Sequence, residues 1–286
     1  MKPVRFSYEA PPTLEAALAS LAAREEAKVI AGGQSLAPMM NMRLAQPGHL
    51  IDIGGLRGLS DIAIEGDRLV VGALVRHADL ARDTLVQKHC GMLVQAASTI
   101  GHYAIRQRGT LGGSLAHADP AAQLPLVAVA LDAEMEVVST RGGRIIPASE
   151  FFVSIFTTAL AADELLVRVR FPVTAPDEGW GFRLFNRRAG DFALAAVATT
   201  LKHTADRGVD GLRLAAGGIG PVPVRLDVLP ELTADASGEG WPRRVAQEAA
   251  DAAEIEDGEQ ISAEYRRELV AALAEDALRD AMGRSR

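Results

Sequence analysis

A two-domain chain that ends in a smaller α+β domain is what this sequence predicts, and three observations predict it. The 286 residues exceed the usual size of one domain, while 48% hydrophobic and 23% charged residues are ordinary for a soluble globular protein. Residues 173–179 form a run rich in proline, glycine and acidic side chains, which suits a domain boundary. Beyond it come three apolar strand-like runs and then two Ala- and Glu-rich helical runs, the order of an α+β unit.

Each element has its own local cause. Leu14, Ala17, Leu18 and Leu21 recur at helical spacing within residues 13–26, and Thr13 is placed to cap that helix. A short strand, 29–31, runs into Gly32-Gly33, followed by a short helix or turn over 35–44 and a strand over 49–53. Gly66-Asp67 separates the apolar runs 61–65 and 68–72 and predicts a hairpin. Helices are expected over 77–82 and 92–100, and strands over 134–139 and 144–147 joined by a turn at 140–143. A strand over 163–171 is ended by Pro172. The C-terminal domain is expected to hold a three-stranded antiparallel unit from 181–188, 192–203 and 211–216, a flexible loop over 233–240, and helices over 241–255 and 262–282.

Composition excludes several function classes. A net charge of -7 and scattered Lys and Arg give no basic face for nucleic acid. The single cysteine, Cys90, excludes an internal disulfide and supplies too few thiolates for an iron–sulfur cluster. No apolar run is long enough to span a membrane and the N-terminus lacks a signal-peptide core, so a cytoplasmic protein is expected. His77, His102 and His117 show no i, i+4 pairing with an acidic third ligand, so no metal site is expected.

Two glycine pairs carry the chemistry. AGGQSLAPM begins at Ala31, and GTLGGSLAHADP begins at Gly109. Backbone N–H groups with no Cβ in the way can approach the oxygens of a pyrophosphate closely. Gly32-Gly33 precede a helix-like run and the Ser35 hydroxyl. Gly112-Gly113 lie between the hydroxyls of Thr110 and Ser114. Either pair alone more often marks a tight turn, the two together read as a phosphate site as readily as a pair of turns, and neither matches a Rossmann fingerprint or a P-loop.

Residues 31–53, AGGQSLAPMMNMRLAQPGHLIDI, and residues 105–125, IRQRGTLGGSLAHADPAAQLP, resemble the FAD-binding medium subunit of molybdenum hydroxylases, the carbon monoxide dehydrogenase and xanthine dehydrogenase flavoprotein family. The resemblance continues through DELLVRVRFP and GFRLFNRRAGDFALA and covers essentially the whole chain. It implies an FAD-binding domain of the p-cresol methylhydroxylase (PCMH) type over 1–175, made of α+β subdomains over about 1–56 and 57–175, and a carbon monoxide dehydrogenase flavoprotein-like C-terminal domain over 176–286.

Carried over residue by residue, the resemblance implies that Val29, Ile30, Ala31, Gly32, Gly33, Gln34, Ser35 and Leu36 hold one side of the FAD pyrophosphate. Thr110, Leu111, Gly112, Gly113 and Ser114 would hold the other. Ile100 and Leu166 fall where the family has residues near the flavin ring, Arg183 where xanthine dehydrogenases have a flavin-contacting lysine, and Phe192 where the carbon monoxide type has a tyrosine over one flavin face. Gln123 stands where many relatives have an aspartate that accepts from a flavin-chain hydroxyl; a neutral amide accepts more weakly, so the resemblance implies either a lower FAD affinity or a larger share of that contact for Asp119.

Plainer readings stand beside these. Asp119-Pro120 also reads as the start of a helix over 120–131, Phe192 as a core residue opening a strand, and His117 as a solvent-facing loop residue. Arg187-Arg188 reads as a solvated strand end or a docking surface for an acidic partner. The resemblance implies a flavoprotein with no acid–base residues of its own, taking electrons from [2Fe-2S] clusters in a small subunit, fed by a molybdenum cofactor in a large subunit, and passing them to an external acceptor. A dimer of heterotrimers is the expected assembly. The competing reading is a self-sufficient FAD-dependent oxidase of the same domain class.

Overall fold

The computed structural model describes residues 1–203, 208–234, 236, 238–258 and 261–285. It begins with β1 (Ser7–Glu9), α1 (Leu14–Ala22), β2 (Ala27–Ile30), α2 (Leu36–Asn41) and β3 (His49–Asp52). The Thr13 hydroxyl accepts the Ala16 N–H at 3.2 Å and starts α1 as the sequence predicts. The three strands form a parallel sheet in the order β1-β3-β2. This makes β3 the central strand, with Ile51 fully buried under α1.

The next stretch opens with the expected hairpin, β4 (Ile62–Glu65) and β5 (Arg68–Gly72), turning at Gly66 with φ 62°. Helices α3 (His77–Leu80), α4 (Thr84–His89), α5 (Gly91–Thr99), α6 (Tyr103–Arg106), α7 (Leu111–His117) and α8 (Gln123–Ala130) follow. Then come β6 (Glu134–Ser139), β7 (Gly142–Pro147), α9 (Ala148–Phe151), the small pair β8 (Phe152–Ser154) and β9 (Thr157–Thr158), and β10 (Leu165–Pro172). The sheet is antiparallel in the order β4-β5-β10-β6-β7. The glycines expected to turn between β6 and β7 lie inside β7, and Pro172 closes β10 from within the ladder, opposite Arg68.

The last part holds β11 (Glu178–Phe185), β12 (Ala195–His203), β13 (Val209–Gly217) and β14 (Val224–Arg225), then α10 (Pro230–Ala234), α11 (Trp241–Ala252) and α12 (Ala263–Arg284). The antiparallel sheet is thus four-stranded, not three-stranded, because Val224–Arg225 pairs against Ala215 and Ala216. Part of the expected loop over 233–240 is helical, since α10 reaches Ala234; residues 235 and 237 lie outside the described residues.

Gly179 and Gly181 let β11 touch α12 directly: a Cβ at Gly181 would meet the Ala277 Cα at 2.8 Å and collide with the Ala277 carbonyl. Every residue of α8 is buried. One hydrophobic core therefore runs from Leu69 and Val71 of β5 through α8 to Phe182, Ala196 and Ala215 of the C-terminal sheet. At about 25 cal/mol per Å2 of apolar surface, burial on both sides makes α8 a strong tie between the sheets that share this core. Among the described residues no helix is long and apolar enough to cross a membrane.

Candidate functional site

The two glycine segments meet. Gly32 lies against the Arg108-Gly109 backbone so closely that a Cβ there would collide with the Arg108 carbonyl and come within 2.9 Å of the Gly109 Cα. Gly33 takes φ 69°, a left-handed value that favours glycine. Gly112 packs on Ala73, where a Cβ would come within 2.5 Å of the Ala73 side chain. The bare backbone therefore serves close contact of the chain with itself.

The donor sets of the two segments differ. Among the described residues, no acceptor receives the N–H groups of Gly32, Gly33, Gln34 and Ser35, and the Ser35 hydroxyl makes no cap bond. The second segment was expected to offer a like set, and its N–H groups are instead consumed internally. Leu111 donates to Val75 O at 3.0 Å, Gly112 to Ala73 O at 2.8 Å, Gly113 to the Thr110 hydroxyl at 3.1 Å and Ser114 to Thr110 O at 3.0 Å. What this side leaves for a ligand is the half-buried Ser114 hydroxyl and the exposed turn at Gly113. Val29 and Ile30 end the strand that delivers the first loop, while Leu111 is fully buried beneath the second.

The structure places the remaining candidates apart. Ala118, at φ 51°, ends α7, and Asp119 then folds a turn: its Oδ1 accepts the Ala121 N–H at 2.9 Å. Helix α8 consequently starts at Gln123, not at Pro120, and the Pro120 carbonyl is taken by the N–H of Gly218 at 2.9 Å. Gln123 is buried as the first residue of α8.

Phe192 is 68% exposed and sits ahead of β12, which overturns the core reading. It lines an open cleft of ≈ 640 Å3 with Asp119, Pro120, Ala121, Ala193 and Leu194. Its loop is seated by Gly190, φ 92°, where a Cβ would come within 2.7 Å of His102 Nδ1. Ile100 precedes the turn at Gly101, whose carbonyls are held by Arg106 at 2.9 and 2.8 Å.

Leu166 lies 3% exposed inside the main core, beneath α7. Arg183 is not brought to the cleft: it faces α12 and pairs with Asp280 at 2.7 Å. His117 is half-buried, stacked on Phe156 at 4.8 Å, with burial lowering its pKa. Arg187 and Arg188 are exposed and Arg187 lines the cleft. Cys90 is buried, and burial pushes its thiol up to about 12, so it is inert.

Sequence reasoning missed the support of the second segment. Arg76 donates through its guanidinium to Arg108 O, and His77 donates through Nε2 to Thr110 O at 2.9 Å. An Arg-His pair directly after the apolar run 68–75 was the available signal. Burial, aided by the charges of Arg106 and Arg76, lowers the His77 pKa to about 4 from its ordinary 6.5.

The unfolded chain therefore binds the extra proton between those two pH values. The native state is at full stability above about pH 6.5 and loses roughly 3 kcal/mol at this site as pH falls to about 4. Urea midpoints measured across that window are expected to fall more steeply in the wild type than in His77→Gln, and parallel profiles would contradict the assignment.

Residues 4–174 match the family described as FAD binding domain in molybdopterin dehydrogenase, and residues 180–281 match the CO dehydrogenase flavoprotein C-terminal domain. The nicotine 6-hydroxylase medium subunit of Paenarthrobacter nicotinovorans is 45% identical over 80% of this chain and 81% of its own. The caffeine dehydrogenase subunit beta of Pseudomonas sp. (strain CBB1) is 34% identical over 99% and 97%. In the solved structure of the Hydrogenophaga pseudoflava carbon monoxide dehydrogenase lacking the Mo-pyranopterin moiety, a chain superposes with a TM-score of 0.93 at 33% identity, over 100% of both chains.

Proposed function

Because this chain belongs to the FAD-binding medium subunits of molybdopterin dehydrogenases, we propose that the first glycine loop holds the FAD pyrophosphate and that the flavin ring occupies the cleft beside Phe192. The chain is the flavoprotein of a multi-subunit molybdenum hydroxylase, an oxidoreductase whose partner subunits carry the [2Fe-2S] clusters and the molybdenum cofactor. When bound, FAD would supply the redox chemistry between those clusters and an external acceptor.

The observation that carries the site is the run of unpaired N–H groups from Gly32 to Ser35. Backbone donors with no partner fit an anion, and phosphate oxygens satisfy them without a Cβ intervening. Val29, Ile30, Ala31 and Leu36 shape the ends of that loop, Gln34 steadies it by donating to Gly32 O at 3.1 Å, and Ser114 adds a hydroxyl from across. Thr110, Leu111, Gly112 and Gly113 position the facing backbone. Asp119 and Gln123 would accept from flavin-chain hydroxyls, Ile100 would lie on the ring's apolar side with Leu166 behind it in the core, and the phenyl ring of Phe192 would cover a flavin face and keep water off it. Arg183 is excluded from this reading because Asp280 holds its guanidinium.

A domain border near residue 175, a dimer of heterotrimers and a cytoplasmic location complete the proposal. The test is purification through a tag on this chain. FAD, a small iron–sulfur chain and a large molybdenum-cofactor chain are expected in equal amounts. A chain that takes up no FAD even after reconstitution, or one that oxidises a small substrate unaided, would defeat this reading.

A further inference from the structure

We propose that Arg76 and His77 form a carbonyl clamp that sets the wall of the pyrophosphate site, with His77 as a positioning residue for the Gly109-Thr110 backbone. The inference rests on the FAD reading above.

A site built for phosphate must keep carbonyl oxygens from competing with the anion, since both carry negative charge. Gly32 of the unpaired donor loop lies directly on the Arg108-Gly109 backbone, so the segment that carries the carbonyls of Arg108, Gly109 and Thr110 faces that loop. Each of them receives a donor from the Arg76-His77 pair. The Arg76 guanidinium donates to Arg108 O, the His77 main-chain N–H to Gly109 O at 3.0 Å, and His77 Nε2 to Thr110 O at 2.9 Å. Adjacent residues of one short segment thus hold consecutive peptide groups of another. The backbone bridge between Arg76 and Thr110 fixes their register.

The chemistry of His77 points beyond packing. A carbonyl only accepts, so Nε2 carries the ring proton and Nδ1 is left as a bare acceptor. Nδ1 is buried without a partner, beside Gly109, where a Cβ would approach it to 2.8 Å. An apolar side chain of similar size would fill this place without stranding a buried nitrogen. Breaking that local rule is accounted for by what the other nitrogen does for Thr110, whose hydroxyl in turn caps Gly113 at the start of α7.

The test compares two variants in the full-length chain. His77→Met keeps the volume and removes the donor, whereas His77→Gln keeps a donor at similar reach. FAD dissociation constants from flavin fluorescence titration and thermal midpoints of the flavin-free chain are measured for both. His77→Met is expected to weaken FAD binding by about tenfold, the equivalent of one lost hydrogen bond, with the flavin-free midpoint unchanged or raised. His77→Gln is expected to restore binding to about threefold of wild type.

Wild-type affinity in His77→Met overturns the clamp, and so does equal weakening in both variants, which marks a packing role. If His77→Met does not fold, Arg76→Met, at a half-exposed position, is expected to weaken FAD several-fold, and unchanged affinity there overturns the proposal. A wild-type chain that binds no FAD overturns the FAD reading and the clamp together, whereas wild-type binding with an unaffected His77→Met removes the clamp alone.

Discussion

Gly181→Val is expected to lift helix α12 off the C-terminal sheet. At Gly181 the approach of β11 to α12 is backbone on backbone, with the Ala277 Cα 2.8 Å from where a Cβ would stand. No rotamer relieves that collision, so strand and helix must separate and uncover Val270, Ala274, Ala277, Leu278 and Ala281, all of them buried. Overpacking commonly costs about 1–3 kcal/mol, and a backbone clash lies at or above the upper end. At roughly 2–4 °C per kcal/mol for a chain of this size, a fall of roughly 6–12 °C in thermal midpoint is expected. Gly283→Ala on the same helix is the control. Nothing lies within 4 Å of a Cβ there, so a gain of up to about 1 kcal/mol is expected from helix propensity alone. Equal midpoints for the two variants would mean that β11 and α12 are not held as described.

Gly32→Ala is expected to cost the flavin more than the fold. The added methyl drives into the Arg108 carbonyl and the Gly109 Cα, so the donor loop must move away from the facing segment. The parallel sheet beneath is anchored by Ile51 and Leu18, which the substitution does not touch. A drop of at least about tenfold in FAD affinity is expected, because several charge-assisted hydrogen bonds are displaced together. It would be read as the ratio of flavin absorbance near 450 nm to protein absorbance in the purified variant. A normal ratio would remove the loop from the site.

Local chemistry made many elements legible. The Thr13 cap, the turn at Gly66 and the two long C-terminal helices each follow from residues within one turn of the feature. Features decided by distant partners were not legible. Asp119-Pro120 carries the marks of a helix start, yet the Pro120 carbonyl is taken by Gly218, the residue just after β13, and α8 begins later. Phe192 looks like the first residue of an apolar strand, but the left-handed Gly190 and the turn closed by Asp191 N–H on Arg188 O hold it outside β12.

The two glycine segments do meet in the fold, while the reason for their glycines was only half visible. Spacing cannot show that Gly32 abuts Arg108 or that the N–H of Gly112 is consumed by Ala73. The short helices Thr84–His89 and Tyr103–Arg106 carry too few periodic positions to be seen, although Asp83 does cap the first through two hydrogen bonds. Strand β14, with Val224 and Arg225 alone, is defined by its partner and not by its own pattern.

The burial of α8 on every side has a mechanical meaning. A helix with no wet face offers no slip plane, and close-packed interiors resist shear. The parts on either side of it, sharing one core from Leu69 to Ala215, cannot swing against each other without tearing that core open. Electron hopping weakens steeply with separation, so a carrier lodged between these parts gains from a chassis that does not breathe. The cleft beside Phe192, lined by Asp119 on one side and Leu194 and Gly218 on the other, therefore keeps a fixed width.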